Sequence, residues 1–97
     1  MQDGRFSWND EKYESNIDKH GITFEEASTV FDDDNALYSD DESHSTINEQ
    51  RFKVIGMSNA PKILMVCHCY RNGDEVIRII SARKATKKEE LKYRRGY

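Results

Sequence analysis

The stretch ILMVCHCYRNGDEVIRIISAR, residues 63–83, decides the fold. Its first eight residues form an apolar run of strand length, and EVIRIISAR, residues 75–83, returns after a polar break. Asn72-Gly73 fits a two-residue hairpin turn, because both central positions of that turn need positive φ. With that loop Arg71 faces Asp74, and counting back sets Tyr70 opposite Glu75, His68 opposite Ile77 and Cys67 opposite Arg78. One face of the ribbon then carries Val66, His68, Tyr70, Ile77, Ile79, Ser81 and Arg83; the other carries Met65, Cys67, Cys69, Arg71, Val76, Arg78 and Ile80. Each face is apolar in part, as expected of a sheet with helices against one side and a shallow, partly charged surface on the other.

Working outward, FKVIGMS (52–58) reads as a further strand and NAPK as the turn that joins it to the hairpin. Asn9 predicts the cap of a helix from Asp10 to His20, with Asp10 and Glu11 where the helix dipole favours negative charge and Gly21 as the left-handed stop. Thr23 opens a second helix with a capping box to Glu26, and Phe24, Ala27, Val30 and Phe31 form its apolar stripe. Residues 32–50 are acidic and polar, a surface excursion with only ALY as a short strand. Thr86 caps a last helix through a second capping box, to Glu89. The expectation is one α+β domain over residues 1–97: two N-terminal helices, a mostly antiparallel β-sheet and a C-terminal helix.

The 97 residues are 36% hydrophobic and 34% charged, lean but sufficient for a modest core. No apolar run nears the roughly 20 residues of a membrane span, and MQDGRFSW does not read as a secretory signal, so the cytoplasm is the expected compartment. The net charge of −3 conceals an asymmetry. Residues 1–50 hold three basic and fourteen acidic side chains, a formal −11, whereas residues 51–97 hold twelve and four, a formal +8. If the fold keeps these halves apart, a basic surface faces a polyanion such as nucleic acid; if it joins them, they neutralise each other.

The basic residues concentrate where the last strand meets the last helix, at Arg83, Lys84, Lys87 and Lys88. First-turn lysines oppose the helix dipole at about 0.3–1 kcal/mol each, so a bound phosphate is one reading and a solvated face with Glu90 and Arg94 paired is the other. Arg78, amid RIIS, needs a carboxylate partner or an open groove. His68 suits general acid–base work with Tyr70 two residues on, or packs in the core. Tyr93 offers a hydroxyl, a stacking ring or packing. Cys67, His68 and Cys69 give three candidate metal ligands, but the middle one points to the opposite strand face, so no metal site and no cofactor are expected. The two cysteines stand about 6.6–7 Å apart along a strand, at the limit for a disulfide, and read as reduced. His20 suits a helix C-terminus, and His44 lies in the acidic excursion with no evident companion.

Three blocks in this order, WNDEK, KHGITFEEA and IRIISARKA, together with QRFKVIGMS, resemble the BrnT family of type II toxins over nearly the whole chain. The resemblance implies a RelE-like single domain acting as a ribonuclease that arrests translation. It implies neutralisation by a BrnA-type ribbon-helix-helix antitoxin, with operator DNA reached only through that partner. The basic residues that the family implicates in its late strands correspond here to Arg78 and Arg83, followed by Lys84 and Tyr93. Such an enzyme cuts RNA with the substrate's own 2'-hydroxyl and no metal. The roles expected are Arg78 and Arg83 on the phosphoryl oxygens, His68 or Tyr70 in proton transfer, Tyr93 as a further catalytic candidate, and Arg71, Lys84, Lys87 and Lys88 on the RNA backbone. A non-catalytic nucleic-acid or partner-binding module is the alternative, and a metal-dependent hydrolase centred on Cys67, His68 and Cys69 a third class.

Overall fold

The computed structural model describes residues 2–96. Helix α1 spans Asp10–His20, where Asn9 accepts from the Lys12 amide at 3.1 Å and Gly21, at φ 69°, closes the other end on the Ile17 carbonyl. Helix α2, Phe24–Ser28, continues as a 3-10 turn over Thr29–Asp32. Thr23 caps α2 as expected, but the reciprocal half of that capping box is absent. The Glu26 carboxylate instead accepts from Ser58 at 2.8 Å and meets Lys62 at 3.6 Å, because a cation and a hydroxyl together satisfy a mostly buried carboxylate better than one backbone amide. Helix α3, Lys87–Arg95, carries both halves of its capping box through Thr86 and Glu89.

Six strands form one sheet: β1 (Gln2–Asp3), β2 (Phe6–Ser7), β3 (Leu37–Asp40), β4 (Phe52–Met57), β5 (Ile63–Arg71) and β6 (Val76–Lys84), in the order β1-β2-β6-β5-β4-β3. Four pairings are antiparallel and β2–β6 is parallel, so the sheet is mixed. Strands β1 and β2 escape sequence reading because two-residue strands carry no periodicity.

The expected register of the 63–83 hairpin is corrected. Its connection is four residues, 72–75, with Asn72, Gly73 and Asp74 all at positive φ and the Glu75 amide returning to the Asn72 carbonyl. Aspartate tolerates that backbone region as asparagine does, so the turn runs one residue past Asn-Gly. The pairing becomes Tyr70 with Ile77, Cys69 with Arg78 and His68 with Ile79. A two-residue shift leaves every side chain on its original face.

A second departure does not. Cys67 pairs with Ser81 while His68 pairs with Ile79, which leaves Ile80 as the extra residue of a β-bulge. Beyond it Ala82 enters the core, whereas Ser81 and Arg83 move to the face of Cys67, Cys69 and Arg78. Asn16 holds this bulge from α1. Its amide nitrogen donates to the carbonyls of Ala82 and Ile22 at 2.8 and 2.9 Å, and its oxygen accepts the Ala82 amide at 3.0 Å. Strand β2 stops short of Ala82, so the buried asparagine supplies the hydrogen bonds a neighbouring strand would have made.

The core lies between α1, α2 and one sheet face. Trp8, Ile22, Phe24, Ala27, Val30, Val54, Leu64, Val66, Ile79 and Ala82 are buried there, each large side chain contributing about 1.5–3 kcal/mol. Gly56 lets β4 pass close beneath the 3-10 turn: a Cβ there would stand 3.1 Å from that of Val30.

Candidate functional site

The opposite sheet face is only partly covered. Helix α3 lies at one end, tied by Arg83 to Glu89 at 2.8 and 3.1 Å and by the Tyr93 hydroxyl, which donates to Asp33 at 2.6 Å. Residues 41–51 fold back at the hairpin end. Between these, Lys53, Ile55, Met65, Arg78 and Ser81 remain partly exposed.

Arg78 is half-buried on this face, opposite Cys69, with Ser7 of β2 on its other side. Among the described residues its guanidinium has no ion pair and no side-chain hydrogen bond. A desolvated cation without a partner is unfavourable until an anion arrives, and this one faces an accessible surface. Arg83, brought to the same face by the bulge, is satisfied: its bidentate grip holds Glu89 below the usual carboxylate range. The other expected cations divide. Arg71 is exposed and pairs with Glu49 at 3.0 Å, which also accepts from Arg51 at 2.9 Å. Lys84, Lys87 and Lys88 are exposed where β6 meets α3, about 17 Å along the strand from Arg78.

His68 is not with them. It points into the core with no exposure, its Nδ1 3.3 Å from the Val66 carbonyl and its Nε2 3.4 Å from the Tyr70 hydroxyl. Phe31, Tyr38, Phe52 and Tyr70 surround it. Burial pushes its pKa down to about 4, so the ring is neutral and sealed from substrate. Tyr70 lies on the same core-facing side. Tyr93 is pushed up to about 12 by burial and by its bond to Asp33, and its proton is committed to that carboxylate. The structure therefore brings Arg78 and Arg83 together on one face, sets His68 and Tyr70 on the other, and uses Tyr93 to anchor α3.

His68 sets a pH dependence. Its folded value lies below the ordinary 6.5, so unfolded chains bind the extra proton, and stability complete above pH 6.5 falls as pH drops toward 4. About 2 kcal/mol should be lost between pH 6.5 and 5, before the depressed carboxyls of Asp33, Asp41, Glu49 and Glu89 begin to titrate. Urea midpoints across this window should slope for the native protein and lie flat for His68→Phe. An unchanged slope in the variant would assign the effect elsewhere.

Residues that sequence reasoning passed over also gather here. Asp41 is buried at the end of β3, and both of its carboxylate oxygens lie 3.0 Å from Nδ1 of His44. It also accepts from Ser43 at 3.1 Å and from the Cys67 thiol at 3.4 Å. Burial alone would raise its pKa, but these hydrogen bonds outweigh that and leave it lowered. Burial and the same carboxylate push the Cys67 thiol up to about 12. Arg51, just before β4, and Lys53 within it stand beside the cysteines, Lys53 directly opposite Cys67. Cys67 and Cys69 are free and face away from His68, and among the described residues no three His, Cys, Asp or Glu side chains are grouped to hold a metal ion. No described helix is long and apolar enough to cross a membrane.

These observations define a class: an α+β domain with α1 and α2 on one sheet face and arginines beside α3 on a partly open opposite face. The sequence model of one family, described as ribonuclease toxin, BrnT, of type II toxin-antitoxin system, matches residues 8–89, and the chain belongs to that family. The fold is similar to the crystal structure of the Brucella abortus ribonuclease toxin BrnT, with a TM-score of 0.63 at 24% identity, covering 88% of this chain and 100% of that one. No curated protein matches the sequence.

Proposed function

We propose that this ribonuclease toxin is a metal-independent endoribonuclease with a RelE-like manner of action, and that Arg78 is the centre of its site. The observation that carries the reading is the half-buried, unpartnered Arg78 guanidinium on the part-exposed face. The 2'-hydroxyl of the substrate attacks the adjacent phosphorus, and Arg78 stabilises the added negative charge on the phosphoryl oxygens. Arg83 joins it when a phosphate competes with Glu89 for the guanidinium. Arg71 at the hairpin end and Lys84, Lys87 and Lys88 at the α3 end hold the flanking backbone. His68 takes no part, being enclosed by aromatic rings. Translation arrest in the cytoplasm and neutralisation by a BrnA-type antitoxin, which alone would reach operator DNA, complete the reading.

The purified protein with a chelator and a defined RNA tests it. Cleavage should persist and leave a 2',3'-cyclic phosphate and a 5'-hydroxyl, and a 2'-deoxy substitution at the scissile nucleotide should block it. Products ending in 5'-phosphate would remove the mechanism. Arg71 and Arg83 are already paired with Glu49 and Glu89, which favours a second reading in which this face binds a partner without cutting. RNA bound but never cleaved would select that reading.

A further inference from the structure

We propose that His44, oriented by Asp41, is the proton-transferring residue of the RNA-cleaving site, an inference that rests on the ribonuclease mechanism above. The geometry is that of a positioned base. A carboxylate buried to 5% exposure holds Nδ1, so Nδ1 carries the proton, and the lone pair of Nε2 points away from the carboxylate on a ring that is 66% exposed. The Ser43 hydroxyl, 3.2 Å from the same Nδ1, adds to the fixing of the ring.

The location matches the function. Asp41 also accepts from Cys67, which places the pair above β5 on the face that carries Arg78. Lys53 lies opposite Cys67 on one side, and Arg78 lies opposite Cys69 on the other. The pair and Arg78 thus share one sheet face, Asp41 resting against Cys67 of β5 and Arg78 standing on the neighbouring β6 opposite Cys69, two residues along. The charged and titratable groups on the elements packed against the pair are Asp40 and Glu42 on either side of Asp41 in the chain, Arg51, whose carbonyl accepts the Asp41 amide, with its Glu49 partner, Lys53 on β4, and the Cys67 thiol behind Asp41.

The step balances. His44 Nε2 takes the proton of the 2'-hydroxyl as the 2'-oxygen bonds to phosphorus. The bond from phosphorus to the 5'-oxygen breaks, and the departing oxygen takes a proton from water. The imidazolium then releases its proton to solvent, with Asp41 stabilising the cation in the interval.

Cleavage by native protein, His44→Ala, His44→Gln and Arg78→Ala, measured under single-turnover conditions from pH 5 to 9, tests the assignment. His44 is exposed, so its variants should fold and bind RNA with native affinity. Their cleavage should be about 10²–10⁴-fold slower. The acidic limb of the native rate profile should vanish in His44→Ala, and added imidazole should restore part of its rate. His44→Ala within twofold of native at every pH, with Arg78→Ala still inactive, would overturn the role of His44 and leave the ribonuclease mechanism standing. No cleavage by the native protein itself would overturn both.

Discussion

Arg78→Ala should slow RNA cleavage by about 10²–10³-fold, the cost of removing one preorganised donor from a developing oxyanion. The same variant should stop the toxin from inhibiting growth while keeping the fold. The guanidinium has no internal partner among the described residues, so its removal leaves no carboxylate stranded, and the unfolding midpoint should stay close to native. Arg78→Lys should recover little activity, since an ammonium lacks the planar fork that meets two phosphoryl oxygens. Cleavage rate and urea unfolding, measured on the same preparations, check both halves. A rate within tenfold of native would place the reaction elsewhere on the surface. Arg83→Ala should behave differently, because it frees Glu89 and weakens the attachment of α3, so any loss of activity there arrives with a loss of stability.

The largest effect on folding is expected at Asn16. Asn16→Ala removes three buried hydrogen bonds and leaves the Ala82 amide, the Ala82 carbonyl and the Ile22 carbonyl without partners. At about 1–3 kcal/mol for each unsatisfied group, the loss should be about 3 kcal/mol or more, a large share of the 5–15 kcal/mol that typically holds such a domain. Asn16→Asp should be nearly as damaging, because a carboxylate accepts the Ala82 amide but donates to neither carbonyl. Urea denaturation gives the size of the loss, and hydrogen exchange at the Ala82 amide locates it. A loss under about 1 kcal/mol would mean that the bulge holds itself. The consequence reaches the site, since the bulge is what puts Arg83 on the same face as Arg78.

Local chemistry made most of the elements legible. Asn9 and Gly21 delimit α1, Thr86 and Glu89 start α3, and apolar runs mark β4, β5 and β6, because capping, left-handed stops and period-two patterns act over a few residues. Legibility failed where a choice depended on a distant group. Glu26 had a local capping role available and took Ser58 and Lys62 instead. His44 showed no companion along the chain, yet Asp41, three residues away, becomes a buried partner only because β3 and β5 bring Cys67 against it.

Composition and order of residues by themselves determined an α+β domain, both ends of α1, the starts of α2 and α3, its hairpin and a cation-rich second half, and the matched blocks determined its family. Only the tertiary structure decided which cations share a face and which are spent on internal carboxylates. The physical reason is that one extra residue in a strand reverses every side chain beyond it, and the strand past that bulge is hydrogen-bonded by an asparagine 66 positions away in α1.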